Sequence, residues 1–237
     1  MSPPPVLRIP TVHHVGDMQP SSKRTDSYEG AGLSVCKHPS SWRRIARGFV
    51  GGTTHRMTNP DAAFLDAHAL DEAQRASVLA WAVGRGLAKA KTLWTISWDD
   101  CDDDGEERRS CCVFTTAKAA KEEAEEYEDQ GVEIARSRGH VSTPALDSTT
   151  MQTRPALGDR CVIDLVLPLW AHEVHGLSAV WWADDHDPAS LSAPRGVIRA
   201  EALSDWRIEP IGYDPDEDED FDEDLDEEES IDEAVDA

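Results

Sequence analysis

The sequence is short of positive charge, of paired cysteines and of long apolar runs, and each shortage excludes something. It holds 23 Lys and Arg against 47 Asp and Glu, a formal net charge of −24. Free nucleic acid is not expected as a direct partner, because phosphate binding needs concentrated Lys and Arg. No stretch approaches the roughly twenty apolar residues of a membrane span, so none is expected. Met1 to Pro10 is too short and too polar for a signal peptide. The five cysteines, Cys36, Cys101, Cys111, Cys112 and Cys161, are odd in number and contain no C-x-x-C. They read as reduced thiols of a cytoplasmic protein, with Cys36, Cys111 and Cys161 as small core residues. No G-x-S-x-G occurs, and Gly51-Gly52-Thr53-Thr54 lacks the lysine of a phosphate loop, so it reads as a turn.

The acidic excess is unevenly placed. Sixteen Asp or Glu and no Lys or Arg fall between Asp214 and Ala237, which leaves only eight net negatives on the rest of the chain. Such a like-charge block cannot bury enough surface to fold alone, so residues 214–237 are expected to be a disordered acidic tail. A basic protein surface suits that tail as a partner. A solubilising appendage is the plainer reading. Residues 1–10 read as a flexible leader and residues 11–213 as a single domain.

Within that domain, period-2 and period-3.6 patterns alternate. Val12 to Val15 and Gly32 to Cys36 read as strands. A helix is expected from Pro39-Ser40-Ser41, with Trp42, Ile45 and Ala46 on one face. A second is expected from about Asp71 to Gly84. Thr92 to Trp98 alternates, with Trp94, Ile96 and Trp98 on one face. After an acidic tip it returns through Arg109 to Thr115 as a β-hairpin. Thr116 caps a helix to Tyr127, and Val132 to Ala135 reads as a strand. Gly139 to Pro155 reads as a loop, and Cys161 to Leu167 as a buried strand. Val180 to Trp182, Gly196 to Ile198 and Trp206 to Ile211 complete the strands. The expected fold is α+β, with a mixed, mostly antiparallel sheet and flanking helices. Adjacent strand residues face opposite sides, so one of Trp181 and Trp182 is expected to be exposed.

Several phrases carry a resemblance. Ser27-Tyr28-Glu29-Gly30-Ala31-Gly32-Leu33-Ser34-Val35, His38-Pro39 with Trp42, Trp181-Trp182, and Leu191-Ser192-Ala193-Pro194-Arg195-Gly196-Val197-Ile198 together resemble a family of bacterial and mobile-element proteins. Their layout is similar to that of ADP-ribosyltransferase-like domains. The resemblance implies a nicotinamide dinucleotide (NAD) as cofactor. It implies that His13 or His14 bonds the nicotinamide ribose, that Ser34 forms a pocket wall with Tyr28 near it, and that Glu173 is the late carboxylate. Such a carboxylate stabilises an oxocarbenium-like centre as nicotinamide leaves. The chain departs from the pattern in lacking a tyrosine-rich second motif. Its Glu173 lies between two histidines rather than in a catalytic phrase.

Plainer readings stand beside each of these. A His-His pair near a chain start suits a wet strand edge, Ser34 an ordinary strand position, and Glu173 a solvated helix face. Arg195, fixed between Pro194 and Gly196, suits either a bidentate clamp for a phosphate or carboxylate, or a structural turn. His172 and His175, with Asp184, Asp185, His186 and Asp187, match no metal-site spacing, and no metal is expected. Asp99 to Asp104 lacks the register of a calcium loop. The alternative to the enzyme is a non-enzymatic interaction protein, such as a phage or plasmid inhibitor. In that reading the acidic tail mimics nucleic acid or occupies a basic protein surface.

Overall fold

The computed structural model describes residues 3–18, 32–40, 53–101, 107–143, 155–184 and 194–212. The expected helix after Ser40, Tyr28 and the acidic segment lie outside them. The elements are β1 (Val6–Arg8), β2 (Thr11–Val15), β3 (Gly32–Cys36), β4 (Thr54–Thr58), β5 (Ala63–Asp66), α1 (Glu72–Gly84), β6 (Ala88–Cys101) and β7 (Glu107–Phe114). They continue with α2 (Ala117–Ala124), a 3₁₀ turn (Glu125–Gln130), β8 (Glu133–Ser142), α3 (Asp159–His175), β9 (Ala179–Trp182), β10 (Arg195–Arg199), a 3₁₀ turn (Ala200–Asp205) and β11 (Arg207–Ile211).

The larger sheet has the order β1-β5-β9-β10-β3-β2-β4-β11. Its pairings are antiparallel except β5 with β9, so the sheet is mixed and mostly antiparallel, as the sequence implied. Chain continuity closes it. β1 runs on into β2, and β4 into β5, while β1 pairs β5 and β2 pairs β4. The bend between them is bonded by Asn59 N–H donating to the Pro10 carbonyl. The strands therefore form a ring, which removes most open edges. Inside it lie Val12, Leu33, Val35, Met57, Phe64, Trp181 and Ile198, all buried. This corrects the leader: Val6 to Arg8, expected to be flexible, is a paired strand. Its short apolar stretch is completed by a partner that sequence patterns do not show.

Outside the ring, Leu65, Val180, Trp182 and Val197 pack against α1 and α3 through Val78, Ala82, Val162, Val166 and Trp170. Asp71 caps α1 in a capping box with Gln74, which satisfies orphan N–H groups at its start. The expected strand at Cys161 to Leu167 is instead the centre of α3. That helix is covered on one side by the sheet and on another by α1, so it is apolar nearly all round. Its short apolar core looks like a buried strand in sequence. Gly176, in the left-handed region at φ 67°, ends it. Trp181 and Trp182 are both buried, at 2% and 5% exposure. They do face opposite sides, but the ring interior covers one and α3 the other.

The second sheet has the order β7-β6-β8 and is antiparallel. Ile96 and Trp98 pack under α2 with Ala120 and Ala124, and Trp98 stacks on Tyr127 at 4.0 Å. The expected face of Trp94, Ile96 and Trp98 is thus the packed one. β8 extends through Ser142 into the stretch expected to be a loop, because β6 begins at Ala88 and offers a partner that far. Cys36 is buried as expected, whereas Cys111 is exposed on β7.

Candidate functional site

Paired residues on neighbouring strands present their side chains to one face. Trp182 pairs Arg195, Arg195 pairs Cys36, Cys36 pairs His13, and His13 pairs Arg56. This row crosses the outer face of the ring. Arg195 and His13 stand on strands separated by β3 alone, roughly 10 Å apart at the backbone. Ser34 lies two residues before Cys36 and shares its face. An imidazole, a hydroxyl and a guanidinium that are distant in sequence thus project from one face of β2, β3 and β10, with the buried Cys36 between His13 and Arg195.

The β10 end is held by charge. Arg195 Nη1 donates to the Asp184 carboxylate, and both side chains are about four-fifths buried, at 19% and 20% exposure. The guanidinium also lies over the Trp182 ring, 5.8 Å from its centroid. Trp182 Nε1 donates to Asp164 Oδ1 at 3.1 Å, from β9 to α3. Burial pushes the Asp164 carboxyl above its usual range, against the lowering effects of the Trp182 hydrogen bond, Arg160 and Arg195. Pro168, one turn later in α3, has no N–H to give the Asp164 carbonyl. Asp164, Trp182, Arg195 and Asp184 therefore form one connected polar group on an otherwise apolar interface.

The histidines divide. His13 faces outward, and its Nδ1 bonds the Lys37 carbonyl at 2.9 Å. Burial lowers its pKa, the Lys37 carbonyl raises it, and Arg56 lowers it further. The lowered pKa favours a neutral ring that donates through Nδ1 and presents Nε2 as an acceptor. His38 is lowered too, by burial, by Lys37 and by His13. His14 takes the opposite, inward phase of β2. Its Nδ1 meets the Ser34 carbonyl at 2.7 Å and its Nε2 the Asp17 carbonyl at 2.9 Å. That ring ties β2 to β3 and to the following turn.

Glu173 does not join this face. It lies nine residues beyond Asp164 on α3, about 13 Å along the axis, and pairs with Arg85 at 2.7 Å. Asp164 and Asp184 supply the carboxylates near Arg195 instead. Asp164 was hidden by the strand reading of its segment. A lone Asp in a long apolar run, followed by a buried Trp-Trp pair able to donate an indole N–H, is the signal that points to it. His172 is exposed, while His175 sits edge-on to Trp170 at 4.6 Å.

The raised Asp164 pKa fixes the sign of a prediction. Its folded-state pKa lies above the unfolded one, so its contribution to stability is full in acid and is lost as pH rises through the folded pKa. Asp164→Asn keeps an oxygen for Trp182 and cannot ionise. It is expected to be more stable than the native chain near neutral pH, with the difference vanishing below the ordinary carboxyl range. Urea unfolding across pH measures this. A loss that grows as pH rises and is absent in acid would mean that the Asp164 charge is needed to hold Arg195.

No family model, curated protein or solved structure matches the chain.

Proposed function

We propose that the chain is an ADP-ribosyltransferase-like protein that binds a nicotinamide dinucleotide on the β2–β3–β10 face. The observation that carries this reading is the register row joining Arg195, Cys36 and His13, with Ser34 beside it. The donor set suits the ligand. The Arg195 fork matches a pyrophosphate, the neutral His13 ring accepts from a ribose hydroxyl, and Ser34 adds a hydroxyl. Asp184 brings the carboxylate that glycosyl chemistry requires. When bound, the dinucleotide supplies the ribosyl group and releases nicotinamide. The residues of the chain orient it and stabilise the charge that develops.

Labelled dinucleotide tests the reading through nicotinamide release. His13→Ala and Asp184→Asn are expected to lower turnover by about 10²-fold or more. Glu173→Ala and His14→Ala are expected to retain it when folded. A native chain that neither binds nor cleaves the dinucleotide would end the proposal. Loss on Glu173→Ala with Asp184→Asn unaffected would move the site to the other end of α3.

The sixteen acidic residues after Gly212 favour a second reading, a non-enzymatic interaction protein whose acidic segment occupies a basic protein surface. If deleting residues 214–237 leaves every partner interaction unchanged, that reading fails.

A further inference from the structure

The second sheet carries a surface that the proposed site does not use. Lys89 and Lys91 on β6 and Arg136 and Arg138 on β8 are all exposed. The register places Arg138 beside Thr92, Arg136 beside Trp94 and Lys91 beside Gly139, so the four cations crowd one end of a two-strand ladder. Among the described residues none of the four is paired with a carboxylate. Two neighbouring acids are engaged elsewhere: Glu133, on the same strand, with Arg109 at 2.6 Å, and Asp159, beside Gly139, with His140 at 2.9 Å. Arg136 instead lies over the Trp94 ring, 5.8 Å from its centroid. β8 is an edge strand, and its six residues Glu133 to Arg138 are exposed in unbroken succession. The later part of the edge is covered, since Ser142 N–H donates to Ala156 and Gly158 N–H to His140.

Two cations on an open strand edge and two on the strand beside it, none paired with a carboxylate among the described residues, are unusual in a chain with twice as many acidic as basic residues. We propose that this strip is the docking surface for the chain's own acidic segment, Asp214 to Glu229. Two observations select that occupant. The first is charge: thirteen of those sixteen residues are Asp or Glu, and they lie at both odd and even positions. An extended stretch therefore offers carboxylates on both of its sides, and the strip has cations on both faces of the ladder, the lysines on one and the arginines on the other. The second is reach. The seventeen residues from Tyr213 to Glu229 span up to about 58 Å when extended. Half the circumference of a domain of about two hundred residues, the farthest any surface point can lie, is roughly 65 Å, so the segment reaches most of the surface. Docking here makes a basic partner of the segment a competitor of the strip.

Carbodiimide cross-linking of the full-length chain at low salt tests this, with peptides read by mass spectrometry. Lys89 and Lys91 are expected to join residues 214–229 within one chain. Isotope-labelled and unlabelled copies, mixed, establish that the links are intramolecular. Arg136→Gln with Arg138→Gln leaves both reactive lysines in place. It is expected to reduce their links by about fivefold or more, since exposed pairs act weakly and together. About 1 M salt, where the screening length is near 3 Å, is expected to abolish them. Lys118 and Lys121, exposed on α2, are the controls. Links to the controls as frequent as those to Lys89 and Lys91 would overturn the proposal. So would links only between chains, or no links together with saturable oligonucleotide binding that the arginine variant loses.

Discussion

Trp181→Ala is expected to lower the unfolding free energy by about 3–5 kcal/mol, the range for a large aromatic removed from a core. Trp181 fills the ring interior, with Phe64 edge-on at 5.8 Å and Phe64 in turn 6.1 Å from Trp206. The ring can exist at this diameter because β10 presents Gly196 opposite the indole. A Cβ at position 196 would lie 2.6 Å from Trp181 Cε3 and 3.0 Å from the Val180 carbonyl oxygen. Gly196→Ala alone is therefore expected to cost about 1–3 kcal/mol by overpacking. In the Trp181→Ala background most of that penalty should vanish, leaving only the backbone contact. The two substitutions are thus expected to be strongly non-additive. Urea unfolding of the four proteins in the cycle measures the coupling. A Gly196→Ala penalty of equal size in both backgrounds would show that the indole does not fill the ring.

That coupling illustrates which parts of the fold the sequence makes legible. The hairpin from Thr92 to Thr115 could be read because Trp94, Ile96 and Trp98 take one packed face while the half-buried Thr95 and Ser97 alternate with them on the other. β9 and β10, covered on both faces, were legible instead as short apolar runs. Periodicity failed at α3, where burial on more than one side erases the helical period. It also failed at β1, a three-residue strand in a Pro-rich stretch that acquires meaning only from its pairing with β5. The site divides in the same way. Arg195 was visible because proline and glycine flank it, and His13 and His14 because they sit together on a short strand. Which histidine faces outward depends on the phase of β2 against the ring interior, and that phase is fixed by pairing with β4. Asp164 became a candidate only once its segment proved to be a helix lying over Trp182.

Arg195→Ala is expected to cost about 3–5 kcal/mol, the penalty for removing one partner of a largely buried ion pair. The guanidinium answers Asp184 directly, and its charge also helps to hold down the pKa of Asp164. Without it, the part-buried Asp164 and Asp184 carboxylates repel each other with Arg160 left to offset Asp164 among the described residues. Without the guanidinium the Asp164 carboxyl is pushed up further, so the loss should be larger at neutral pH than in acid, where a carboxyl whose folded pKa is raised regains stability on protonation. Arg195→Lys should recover only part, since an ammonium can neither fork toward Asp184 nor lie flat over the indole. Arg195→Met with Asp184→Leu should recover most, because a buried pair replaced whole by apolar groups leaves no stranded charge. The double variant then separates structure from ligand binding. If the outer face acts on the dinucleotide through Arg195 and Asp184, this folded protein should have lost nicotinamide release. Equal turnover in the double variant and the native chain would show that Arg195 and Asp184 serve only the fold.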